Sequence, residues 1–128
     1  LFIGAFFFAM RSCEYLNVKG KYRKTKILCL RNIRFFHHKK ELRHNDPSLK
    51  KATTVSLTFE SQKRDIQHET ITQHKSSDKI LCPVIIWASI VQRILSYPKS
   101  SPNTQVNTFL STDGKLHCIT GPQLLKCL

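Results

Sequence analysis

The sequence predicts an α+β fold, mainly helical, with a small three-stranded antiparallel sheet. Three observations predict it. Apolar residues open the chain as a block from Leu1 to Met10, the stretch 53–60 alternates polar and apolar residues, and residues 83–95 carry apolar side chains at helical spacing behind a proline. One domain of 128 residues is large enough for a single hydrophobic core.

The opening block reads as a buried helix that runs on into Arg11-Ser-Cys-Glu-Tyr-Leu16. Arg11 and Glu14, three positions apart, then share a helical face, which sets a guanidinium at the edge of a core beside a carboxylate. Its planar fork of donors fits a phosphate. The block is too short to cross ~30 Å of hydrocarbon and no basic residue precedes it, so neither a membrane anchor nor a signal is expected.

Residues 17–24 place Gly20 among Lys19, Lys21, Arg23 and Lys24 and read as an exposed loop. Residues 25–36 mix β-branched and aromatic residues with Lys26, Arg31 and Arg34, which predicts a strand. Its inner face would be Ile27, Cys29 or Leu28, Leu30, Ile33 and Phe35, with a bend near Arg31 and Asn32 to hold the register. His37 and His38 then open a polar loop that lasts to Pro47.

The next strand is the clearest. Val55, Leu57 and Phe59 fall on one side of residues 53–60, and Thr54, Ser56, Thr58 and Glu60 on the other. Residues 61–68 have the polarity of a hairpin connection with Lys63 and Arg64 at its tip, and residues 69–74 return antiparallel. Pro83 suits the first turn of a helix whose stripe is Val84, Trp87, Ile90, Val91, Ile94 and Leu95, with Trp87 as a core anchor. Two prolines in residues 97–103 end that helix, and residues 106–110 are a short apolar return. Asp113-Gly114 makes a turn, and Thr120 caps a last helix through Gln123, with Leu124, Leu125 and Leu128 facing inward.

Lysine and arginine number 21 against 8 acidic residues, a formal charge of +13. Such an excess points to a polyanion, with nucleic acid first. Five cysteines without a Cys-x-x-Cys pair suit a reducing compartment, and no finger spacing predicts a metal or other cofactor.

Arg-x-x-Glu after an apolar helix, a lysine on a following hairpin, a Cys-Pro-Val helix entry, a Thr-Phe segment and Asp-Gly-Lys before a Thr-capped helix come in an order that resembles the tyrosine recombinases of phage-integrase type. The resemblance covers nearly all 128 residues, and at the position before Arg11 this chain has Ala9-Met10 where the family has glycine and leucine. It implies the amino-terminal half of a catalytic domain from a mobile element, a fragment truncated at both ends. It also implies that Arg11 contacts the scissile phosphate, that Glu14 supports the helix, and that Lys63, with Arg64 as its neighbour, is the general acid. DNA-binding residues would be Lys19, Lys21, Arg23, Lys24, Lys26 and Arg64, on double-stranded DNA, with self-association on DNA in the full-length protein and a nuclear or otherwise intracellular, non-secreted location.

Half of the family's machinery is missing. No histidine is followed three residues later by arginine, and Tyr15, Tyr22 and Tyr97 all precede the place of the tyrosine nucleophile. The chain as given should therefore not cut DNA. A second expectation, from another class, is a small basic module without chemistry that binds DNA or RNA through the dense basic run from Lys19 to Lys40, and a third is a degenerate mobile-element remnant.

Overall fold

In a computed structural model, residues 1–17, 26–60 and 68–127 are described. Four helices, α1 (Phe2–Phe7), α2 (Ser12–Tyr15), α3 (Pro83–Leu95) and α4 (Gly121–Cys127), accompany six strands: β1 (Ile33–His37), β2 (Lys40–Leu42), β3 (Thr54–Phe59), β4 (Glu69–His74), β5 (Thr108–Leu110) and β6 (Leu116–Cys118). The fold is α+β, but the expectation of a mainly helical chain with three strands is overturned. A four-stranded antiparallel sheet in the order β2-β1-β3-β4 dominates, a β5-β6 ribbon lies beside it, and only α3 among the described helices exceeds two turns.

Two local causes account for the difference. The opening helix does not run into Arg11, because Ala9 adopts φ 49° and the chain restarts at Arg11 in an extended conformation. The histidine-rich stretch is not a loop. His37 pairs with Lys40 across a two-residue turn, His38-Lys39, which turns the chain back as β2.

The inner face of the sheet forms the core. Ile33 and Phe35 of β1 lie opposite Leu57 and Val55 of β3, and these in turn face Ile71 and Gln73 of β4. Against them packs α3, where Pro83 stands at the first turn and Val84, Trp87, Val91 and Ile94 are fully buried. Each such side chain contributes ~1.5–3 kcal/mol by leaving water. The anchoring role expected of Trp87 holds: its ring meets Phe8 edge-on and its indole N–H donates to the carbonyl of Gly4 at 3.3 Å.

That bond clips α1 to α3, and the Gln73 amide donates to the Phe7 carbonyl at 2.9 Å, which ties the same helix to the sheet. Leu28 links the two ends of the chain, its N–H bonded to the Glu14 carbonyl and its carbonyl accepting from Val106. The bend expected near Arg31 and Asn32 is a single 3₁₀ turn, Leu30–Asn32. Thr120 caps α4 as expected, exchanging bonds with Gln123. Leu125, expected inward, is 73% exposed because α4 meets the ribbon only along its other side, and Leu128 lies outside the described residues.

Candidate nucleic-acid interface

The residues singled out from sequence do not come together as one visible site. Lys63 and Arg64, and likewise Lys19, Lys21, Arg23 and Lys24, lie outside the described residues. Arg11 is exposed and forms no ion pair among the described residues. Glu14 is buried, and its carboxylate accepts the Arg11 backbone N–H at 2.7 Å. The acid thus holds the start of α2, and the expected guanidinium–carboxylate pair does not form, because Arg11 precedes that helix instead of riding on it.

Lys26 is engaged. Its amine lies 3.3 Å from Glu60, whose other oxygen accepts from Arg31 at 2.8 Å and from Asn32 at 2.9 Å. These donors, Arg31 first, then Asn32 and Lys26, hold the Glu60 carboxyl at about 2, well below the ordinary 4.5. Arg31 also reaches Asn103. The knot ties residues 26–32 to the end of β3 and to the segment after α3.

A different group of cations converges at the opposite end of the sheet. The β1–β2 turn supplies Lys39 and Lys40. His37 contacts the carbonyl of Lys51 at 3.2 Å, which brings in the 3₁₀ turn Leu49–Lys51 with Lys50 and Lys51. The His38 N–H donates to Thr53 Oγ1 at 2.8 Å, and the Thr53 carbonyl accepts from Lys75 just past β4. His74 sits across from Thr54. Five exposed lysines and three exposed histidines, from three separate stretches of chain, therefore share one end of the fold.

Nearby carboxylates are committed elsewhere. Glu41 takes two bonds from Arg34, at 3.1 and 2.6 Å, which lower its carboxyl below the usual range. Asp46 is lowered chiefly by the hydroxyl and N–H of Ser48, with the charge of Lys40 adding to it. Along the β2 edge the positive surface continues into an open groove of about 610 Å³, where Arg31, Arg34 and Arg43 stand with His44. Sequence reasoning placed Lys39 and Lys40 in a basic run but missed Lys50, Lys51 and Lys75. In sequence Lys50 and Lys51 precede β3 by three to four residues and Lys75 directly follows β4, but nothing there says that strand pairing gathers them.

The arrangement can bind phosphate. Exposed ammonium groups neutralise a polyanion without prior desolvation, and their spread over three segments gives a broad footprint. Among the described residues no three histidine, cysteine or acidic side chains gather as metal ligands, and no helix is long and apolar enough to cross a membrane. In comparison with known proteins, no family model, no curated protein and no solved structure matches this chain.

Proposed function

We propose that this chain binds nucleic acid through its phosphate backbone, with Lys39, Lys40, Lys50, Lys51 and Lys75 as the principal contacts. Double-stranded DNA is the partner expected from sequence, in a nuclear or other intracellular compartment. The single observation that carries the reading is the gathering of those five lysines at one end of the sheet, where the neighbouring acids are already bonded.

The recombinase reading has less support. It asks for a mainly helical frame, and a four-stranded sheet stands in its place. Arg11 is an exposed cation available to a phosphate, and we assign it no catalytic role.

The test is fluorescence anisotropy with a labelled duplex over a salt series. Five phosphate contacts predict a log–log slope of about −4.5, so that affinity falls roughly 500-fold between ~50 and ~200 mM salt. Changing the five lysines together to glutamine should flatten the slope by most of that amount, while Lys115→Gln with Lys126→Gln should leave it nearly unchanged. Equal slopes for the two variants would overturn the assignment.

A further inference from the structure

The outer face of the four-stranded sheet holds a second kind of surface, and it adjoins the lysine end. Register sends Arg34 and Phe36 of β1, Glu41 of β2, Thr54, Ser56 and Thr58 of β3, and Thr70, Thr72 and His74 of β4 to the side away from α3. We propose that this face seats the unpaired bases of a single strand whose phosphates run on to the lysines. The proposal rests on the nucleic-acid reading above and narrows it to one class of ligand.

Three observations carry it. First, the Arg34 guanidinium lies over the Phe36 ring, 5.3 Å from its centroid, and Glu41 clamps it there with two hydrogen bonds. A flat cation held against an aromatic ring is a ready stacking partner for a base, since every base has a π face.

Second, the hydroxyls beside that pair are partly free. Ser56 meets Thr72 at 2.7 Å and Thr58 meets Thr70 at 2.9 Å. Ser56 is buried, so outward bonds to a base edge come from the exposed Thr70 and Thr72, whose hydroxyls keep bonding capacity beyond these contacts.

Third, the face runs directly into the positive end. Phe36 lies two strand residues from the His38-Lys39 turn, ~7 Å by strand rise, so one strand can touch both.

Geometry also rules on the form of the ligand. Four strands span three spacings of ~4.8 Å, ~14 Å before side chains are added, whereas the major groove of duplex DNA is ~12 Å wide. The face as a whole does not seat in that groove, and the bases of a duplex stack on one another, which leaves no open π face for the Arg34–Phe36 pair. A duplex can use only the lysines, and an unpaired strand can use both surfaces.

The experiment compares a labelled oligothymidylate with the oligothymidylate–oligoadenylate duplex of equal length, at one salt concentration. The intact chain should bind the single strand about tenfold more tightly. Phe36→Leu keeps an apolar side chain but removes the ring, and it should bring single-strand affinity down to the duplex level while duplex affinity holds. Phe36→Trp should raise single-strand affinity, and thermal melts of both variants establish that they fold.

If the intact chain binds both probes equally and Phe36→Leu changes neither, while the lysine variant weakens both, the platform is wrong and the phosphate reading stands. If the lysine variant also binds like the parent, both fall.

Discussion

Glu60 shows how much one acid can organise in a chain short of acids. Its carboxyl titrates near 2 in the folded protein against 4.5 ordinarily, so its contribution is complete above pH ~4.5 and disappears as pH falls through about 2. Undiscounted, that shift is worth about 3.4 kcal/mol. Because Lys26 and Arg31 are 67% and 45% exposed, screening brings it to about 1–2 kcal/mol. Urea unfolding at pH 7 and pH 3 checks this: Glu60→Gln should cost about that much at pH 7 and less than half as much at pH 3. His38 makes the opposite case. It holds φ 54° in a two-residue turn where glycine is at ease, and the left-handed conformation costs a residue with a Cβ ~1–2 kcal/mol. His38→Gly should raise stability by about 0.5–1 kcal/mol once the greater freedom of the unfolded glycine is subtracted, seen as a melting point a few degrees higher.

Among the elements, α1 depends on one close approach. A Cβ built on Gly4 would stand 3.1 Å from two atoms of the Trp87 ring and 3.3 Å from Ile86. Trp87 is fully buried and cannot retreat, so overpacking of ~1–3 kcal/mol outweighs the ~1 kcal/mol that alanine adds to a helix. Gly4→Ala should therefore destabilise the protein and change Trp87 fluorescence, measured in one denaturant titration. Elements with a strong internal pattern were legible in the sequence. The alternation of Val55, Leu57 and Phe59 became β3, the returning strand became β4, and the stripe behind Pro83 became α3. Others have no such pattern. Nothing in Lys40-Glu41-Leu42 marks a strand, since β2 exists only because β1 offers it an edge, and Ala9 gives no warning of a positive φ. The lysine end was illegible for the same reason, because only strand pairing brings residues 39, 51 and 75 together.

For the molecule as a whole, charge opposes compactness. With 21 cations and 8 acids, and three ion pairs among the described residues, the fold carries net self-repulsion that salt relieves. Raising salt from ~50 to ~500 mM should raise the melting temperature by a few degrees, although the Glu60 knot alone would weaken; scanning calorimetry decides, and a fall would mean that local pairs dominate. In the same buffers affinity for nucleic acid should drop, so stability and binding move in opposite directions. The bond between Gly4 and Trp87 has a consequence of another kind. Its partners are 83 positions apart, so during translation at ~5–20 residues per second the first helix leaves the ribosome roughly 4 to 17 seconds before its dock is made. Throughout that interval Phe8, whose ring packs edge-on against Trp87 in the finished fold, lacks that partner, and a nascent-chain chaperone has its binding window there.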